Sequence, residues 1–396
     1  VISDDPVLRD FFHSPQHADI SGPWRPGSIR DQSVRASLIV DRALRHGWIA
    51  KDRPLAIAGA GVAGVTAAVM ARRHDVPVTL FESRKPLVVQ SESFRWIDPA
   101  AYDWPHTWWA DGHFPLSLDA CPIRIEAGEG RAIALQFADL LHRDPEIKVV
   151  RSEIAEIQPV IEHGGFHLVA DCRGVKAERH RSGDFVSPPF WDRRDPRWIV
   201  AEAAGRLGRP PRVLISGGGD GAIQDFLLLA TGVRSVVELA QAVGLSTAPS
   251  PGSKLDLAAF EREALSIEDR CWRGLCWCDS GDSHEERQSC AALDRFYRGW
   301  MDRLNLSRLP DNPIDCEFTL VRRTNHASVC YPLNRMLAIF AEEQYKPRFA
   351  ANLDHLNPKD FDVVVIRHGV ETEPGQWMVT RRQALPYVFS GPSIDC

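Results

Sequence analysis

The chain has 396 residues, long enough for two or three domains around sizeable cores. With 44% apolar and 25% charged residues it has an ordinary globular composition, which excludes a fibrous or largely disordered class. A net charge of −6 gives no electrostatic footprint for nucleic acid or for an acidic membrane surface, and no apolar run reaches the ~18 residues of a membrane span. The expected partner is a small molecule, with neither nucleic acid nor membrane involved. The opening VISDDPVLRD lacks the basic flank and long apolar core of a secretory leader. Nine cysteines, an odd number without a small-scaffold pattern, suggest reduced thiols, so the expected location is the cytoplasm.

Residues 1–30 are rich in Pro, Gly, His and Asp, carry no period and read as an extended arm. Residues 33–49 place Val34, Leu38, Ile39, Leu44 and Ile49 on a rough helical stripe and predict an accessory helix. The stretch that organises the chain follows. Leu55 to Ala58 is a short apolar run of the kind a buried parallel strand uses. Gly59, Gly61 and Gly64 then stand in G-x-G-x-x-G spacing, with Val62 and Ala63 between them, and an Ala-rich helix runs on to about Arg73. A second apolar run, Val78 to Phe81, ends in Glu82. This is a dinucleotide-binding βαβ pattern. Gly59 would permit the tight turn, Gly61 the approach of a pyrophosphate, Gly64 close helix–strand packing, and Glu82 would accept from a ribose hydroxyl. The phosphates would rest on the N–H groups that open the helix.

Residues 93–109 are crowded with aromatic side chains, among them Trp96, Trp104, Trp108 and Trp109, around His106. Loops in this position lie near the carboxyl edge of a nucleotide-binding sheet. The rings therefore read either as a wall for a flavin or an aromatic substrate, or as a packing plug between domains. His106, Trp104 and Trp108 are the catalytic candidates, with His113 and His326 as further acid–base groups. Residues 130–142 predict an amphipathic helix, Ile147 to Val150 a strand, and residues 153–157 and 166–170 an antiparallel ribbon turning at Gly164 and Gly165. A linker is expected from about 173 to 197.

At Arg212 the pattern returns. Arg212 to Ser216 reads as a strand, and Gly217, Gly219 and Ala222 match G-x-G-x-x-A ahead of a helix. Val236 and Val237 read as a short strand closing at Glu238. Asp220 inside this turn is unfavourable beside a pyrophosphate unless its side chain turns away or caps the helix. A mainly helical region follows, with Cys271, Cys276, Cys278 and Cys290, whose spacing suits neither a usual zinc pair nor a known redox pair; no metal site is expected. Residues 318–321 predict a strand leading into Arg322 and Arg323, and residues 361–366 a buried strand before Arg367, His368 and Gly369. Glu238 at a strand end points to NADH, whereas Arg322 and Arg323 point to a 2′-phosphate; the balance favours NADH.

Two such units, with strand and ribbon pieces between them, resemble the flavoproteins that carry two dinucleotide-binding domains, the flavin monooxygenases and pyridine-nucleotide disulfide reductases. The resemblance spans about residues 51–370. It implies an α/β fold of two Rossmann-like dinucleotide-binding domains, the second inserted in the first, with an N-terminal helical extension. Residues 1–50 would be the arm and helix, 51–190 and 355–396 the FAD-binding domain, and 200–350 the NAD(P)-binding-like domain with a helical insertion. By the same resemblance Gly59, Gly61, Gly64 and Glu82 would hold the ADP part of FAD, and Val149 or Val150 would lie by the adenine. Gly217, Gly219, Ala222 and Glu238 would hold NAD(P)H. Residues 361–366 would return to the FAD domain, with Gly369 the glycine left of its usual Ala-Thr-Gly. No redox cysteine pair follows either turn, which favours a monooxygenase or oxidase over a disulfide reductase. The implied activity is NAD(P)H reducing FAD, which then meets oxygen or an organic acceptor. The alternatives are a nucleotide-binding sensor or structural protein without turnover, and a flavin-free NAD(P)-dependent dehydrogenase.

Overall fold

The computed structural model describes residues 6–21, 28–98, 123, 125–174, 178–245, 284–304, 306, 308–312, 314–322 and 332–369. They form a mixed α/β structure in which parallel strand pairing dominates. The chain divides into two compact units, one drawn from Val1–Glu92, Trp108–Lys176 and Thr372–Cys396, the other from Ser93–Thr107 and Ala177–Glu371.

The first unit is built on a six-stranded sheet in the order Phe12–Ser14, His17–Asp19, Leu168–Asp171, Leu55–Ala58, Val78–Phe81, Ile147–Val150. All neighbours are parallel except the opening hairpin. The central strands Leu55–Ala58 and Leu168–Asp171 are buried along their whole length, which is why both read as unbroken apolar runs. The N-terminal segment is not the extended arm its composition suggests. Pro6–Phe11 is a helix, and the hairpin after it lays His17–Asp19 beside Leu168–Asp171 as an added strand. The expected accessory helix spans Ile29–Arg45 and packs on the helix Val62–Arg72, where Thr66 Oγ1 meets Ser33 Oγ at 3.2 Å.

The ribbon expected between residues 153 and 170 does not form. Gln158–His163 is a short helix opening with Pro159 in its first turn, and Leu168–Asp171 joins the main sheet in parallel beside Leu55–Ala58. An exposed ribbon would alternate polar and apolar side chains; Leu168, Val169 and Ala170 are all apolar and buried, as a strand covered on both faces requires.

The second unit carries a four-stranded parallel sheet in the order Arg348–Ala350, Glu317–Val321, Arg212–Ser216, Val363–Ile366. Its core joins the strands to the helices Asp220–Thr231, His284–Leu304 and Pro332–Tyr345 through Phe226, Leu227, Tyr297, Leu333 and Leu337. Two expectations are corrected here. Val236 and Val237 are not a strand: they open the helix Val236–Ala242, whose N-cap Ser235 accepts from the Glu238 N–H at 3.0 Å while Glu238 accepts from the Arg234 N–H. Serine three residues before glutamate is a capping signature, and it outweighs the β preference of two adjacent valines. The other concerns the strand Val363–Ile366, which pairs with Arg212–Ser216 and so completes the second sheet instead of returning to the first. The expected linker holds a small antiparallel pair, Arg181–Ser182 with Phe185–Val186, and then the helix Pro196–Leu207, capped by Asp195.

A buried ionic cluster braces this unit. Asp225, fully buried, lies 2.6 Å from Arg95 Nη1 and 2.7 Å from Arg367 Nε. Arg95 also donates to the Phe190 carbonyl, and Phe190 N–H donates to Glu178. Burial alone would raise the Asp225 carboxyl, but the two guanidinium groups outweigh it and hold the group below the usual carboxylate range. Glu178, half-buried and with less compensation, is pushed up. Among the described residues no helix is long and apolar enough to cross a membrane.

Candidate functional site

Both sheets share one plan at their carboxyl ends. In each, a strand runs into a glycine turn and a helix, the next strand of the unit pairs on one side, and the last strand of the sheet pairs on the other. Such a point, where the connections depart in opposite directions, is where open α/β sheets place ligands.

In the first unit the turn is Gly59 to Gly64. Gly59 has φ +97°, and a side chain there would also sit 2.7 Å from the Cys172 carbonyl oxygen, so only glycine fits. A Cβ at Gly64 would overlap the carbonyl oxygen of Gly59, which places the helix directly against the turn. Gly61 is different. Its φ of −73° is open to any residue, and a Cβ there would meet nothing within 4 Å. Gly61 is the N-cap of Val62–Arg72 and carries no side-chain cap, so the N–H groups of Val62 and Ala63 at the helix start receive none from it. The three glycines thus do three separate jobs: a left-handed turn, an open face and a tight packing contact.

Glu82 follows the neighbouring strand and is tied into the same turn. Its Oε2 accepts from the Ala60 N–H at 2.9 Å and its Oε1 from the Arg84 N–H at 2.8 Å. Each oxygen keeps a second lone pair, so the carboxylate is oriented without being exhausted as an acceptor. Leu87, buried and at φ +45°, donates its N–H to the Ala60 carbonyl and folds the following loop onto the turn. Val150 ends the edge strand, and its carbonyl accepts from the Glu82 N–H at 3.0 Å. Across the switch point Arg173 grips Asp171 through Nε at 2.9 Å and Nη2 at 2.5 Å, and donates to the Ile154 and Ala155 carbonyls. The only sequence signal of this clamp is an arginine two residues after an acid at a strand end.

The second unit repeats the backbone pattern bond for bond. Gly59 N–H donates to Phe81 O at 2.8 Å, and Gly217 N–H to Val321 O at 2.9 Å. Cys172 N–H donates to Ala58 O, and Arg367 N–H to Ser216 O, both at 2.8 Å. Glu82 N–H donates to Val150 O, and Arg322 N–H to Ala350 O at 3.1 Å. Gly217 has φ +138°, and its absent Cβ would strike the Arg367 carbonyl oxygen and lie 3.1 Å from Ala222 Cβ. Gly219 is the uncapped N-cap of Asp220–Thr231, with φ −97° and ψ −179°, as Gly61 is of its helix.

The chain matches no family model and no curated protein. Its chemistry must therefore be read from these two turns.

Their hydrogen-bond register changes the residue assignments in the second unit. Glu238 lies in a capped helix and pairs with Arg234 at 3.5 Å; it is not the residue at the end of the neighbouring strand. The residue in the place that Glu82 holds is Arg322, which is buried, donates Nη2 to Glu342 Oε2 at 2.9 Å and lies 4.8 Å from the Phe349 ring centre. The sequence had shown Arg322 after an apolar strand but could not show which strand is Arg212–Ser216's neighbour. Asp220, the acid that is awkward beside a pyrophosphate, accepts from Asn334 Nδ2 at 2.6 Å. Gly369 lies in the second unit, where its carbonyl accepts from the Arg179 N–H at 2.7 Å. His368 Nε2 lies 2.8 Å from Ser216 Oγ beside the second turn.

Trp104, His106, Trp108, Trp109, His113, Cys271, Cys276, Cys278, Arg323 and His326 fall outside the described residues, as does the side chain of Cys290. Among the described residues no group of three or more His, Cys, Asp or Glu side chains is placed to hold a metal ion.

Proposed function

We propose that the protein is a flavin-dependent oxidoreductase, with FAD at the Gly59 turn and NAD(P)H at the Gly217 turn, in two Rossmann-like dinucleotide-binding units. The observation that carries this reading is the division of labour among the first three glycines. Gly59 and Gly64 are glycine because a side chain would collide with protein. Gly61 is not: a Cβ there meets open space, at the mouth of an uncapped helix. A backbone that leaves one face bare over free helix N–H groups suits a pyrophosphate that must come close to the main chain.

The residues fit the group. Gly61, Val62 and Ala63 would present N–H groups to the phosphates, and Glu82, fixed by Ala60 and Arg84, would accept from a ribose hydroxyl. Val150 would border the adenine at the end of the edge strand. In the second unit the Gly219 helix end would do the same for a nicotinamide dinucleotide, with Asn334 drawing the Asp220 carboxylate aside. Bound flavin supplies two-electron chemistry between a nicotinamide and oxygen or an organic acceptor; the protein supplies binding, orientation and exclusion of water. The aromatic stretch around Trp104, His106 and Trp108 remains the proposed wall of a pocket for an aromatic substrate.

The purified protein should be yellow, release FAD on denaturation and bleach on anaerobic addition of a reduced nicotinamide nucleotide. A colourless protein that takes up no FAD when reconstituted refutes the flavin reading. If that colourless protein still binds NAD(P)H, a flavin-free dehydrogenase replaces it.

A further inference from the structure

We infer that the nucleotide recognised at the second turn carries a phosphate on its adenosine ribose, as NADPH does, and that Arg322 is the residue that selects it. The inference rests on the nucleotide reading of the Gly217 turn proposed above, and not on any flavin chemistry.

The argument is one of position. In a strand–glycine turn–helix–strand unit, the residue just past the second strand faces the adenosine ribose. An acid there accepts from the 2′-hydroxyl and repels a 2′-phosphate, while an arginine nearby accommodates the phosphate. In the first unit three backbone hydrogen bonds fix that place at Glu82. The same three bonds in the second unit, from Gly217, Arg367 and Arg322, fix it at Arg322. The two units therefore present opposite charges to the same part of a bound nucleotide. An acid suits FAD, whose adenosine ribose has free hydroxyls, and a guanidinium suits a phosphorylated ribose.

Arg322 is also held in place from two sides. The donor to Glu342 is Nη2, one of five N–H groups on the planar fork, and the Phe349 ring lies beneath the guanidinium. Glu342 is the opposing term. Its carboxylate offsets part of the positive charge, so the pair predicts two changes of opposite sign. Removing the arginine should abolish the preference for phosphate, and neutralising the glutamate should enlarge it. Asp220 acts on the shared pyrophosphate and does not discriminate between the two nucleotides.

The test uses nucleotides without nicotinamide, so that no turnover enters. The full chain, preincubated with excess FAD to fill the first turn, is titrated calorimetrically with ADP-ribose and with 2′-phospho-ADP-ribose. The wild-type protein should bind the phosphorylated ligand at least about tenfold more tightly. In Arg322→Gln the two affinities should become equal, with ADP-ribose little changed; in Glu342→Gln the ratio should rise. Equal binding by the wild type, or tighter ADP-ribose, overturns the inference while the nucleotide site stands. Binding of neither ligand overturns both. A folded Arg322→Gln protein that keeps the wild-type ratio removes Arg322 from the role. Should that variant fail to fold, an unchanged ratio in Glu342→Gln refutes the assignment. A protein that takes up no FAD refutes the flavin proposal alone; the ratio is then read on Gly61→Ala protein, in which the first turn is obstructed.

Discussion

Alanine at Gly61 and alanine at Gly64 should separate binding from folding at the first turn. At Gly61 the added methyl meets no atom within 4 Å and the backbone is already at φ −73°, so neither packing nor conformation opposes it. The expected cost is that of a poorer N-cap, about 0.5–1 kcal/mol. In a unit of this size that lowers the melting temperature by about 1–4 °C. At Gly64 the methyl overlaps the Gly59 carbonyl oxygen, a backbone atom that cannot swing aside as a side-chain tip can. Helix and turn must separate, and overpacking of this kind costs about 3 kcal/mol or more. Binding should invert the order. The space that Gly61 leaves open is where the pyrophosphate is expected, so Gly61→Ala should lose FAD by about a hundredfold, equivalent to ~2.7 kcal/mol. Melting is measured on flavin-stripped protein, because bound ligand raises the apparent stability. FAD affinity is measured by fluorescence quenching on reconstitution. A Gly61→Ala protein with wild-type affinity would refute the placement of the phosphates, and a Gly64→Ala protein as stable as the wild type would refute the packing of the turn.

Asp225→Asn should destabilise the second unit by about 3–5 kcal/mol in chemical denaturation, because Arg95 and Arg367 would keep their charges in a buried place. The pH dependence follows from the same group. Its folded value lies below the ordinary carboxylate one, so its stabilisation is complete above roughly pH 4 and is lost as the pH falls through the folded value. The acid limb of the stability curve should flatten in the variant; superimposable limbs would show that the cluster does not hold the charge. Glu238→Gln should leave NADPH and NADH affinities unchanged in a binding titration, while Ser235→Ala costs about 1 kcal/mol of stability, since both residues serve the start of a helix. A large loss of nucleotide affinity in Glu238→Gln would return that residue to the site. Asn334→Ala should weaken nucleotide binding at the second turn by about fivefold, the effect of ~1 kcal/mol of carboxylate charge near the phosphates. Adding Asp220→Asn to it should restore the affinity, and failure of that rescue would mean that Asn334 acts by packing.

The amino-acid order by itself settles the local pieces. Leu55 to Phe81 announces its strand, turn, helix and strand because each feature is short-range: an apolar run, a glycine where φ must be positive, an alanine-rich helix. The Gly217 turn is legible for the same reason, and so is the strand Glu317–Val321. What the order of residues does not carry is which strands become neighbours. Val236 and Val237 come next in the order of residues and have β preference, yet the partner of Arg212–Ser216 is Glu317–Val321, which among the described residues lies beyond the helices Val236–Ala242 and His284–Leu304. That one pairing moves the residue at the end of the neighbouring strand from Glu238 to Arg322, and with it the charge that the proposed nucleotide site would present to a ribose. The strand Val363–Ile366 shows the same limit: its apolar run predicts burial, but burial is equally available beside either sheet. Only the hydrogen-bond register of the folded chain, with Ser216 opposite both Val321 and Ile366, decides it. Backbone pairing is long-range and joins the same main-chain N–H and C=O groups whatever side chains they carry, so two turns of different sequence can share one register while the side chains past their strand ends diverge.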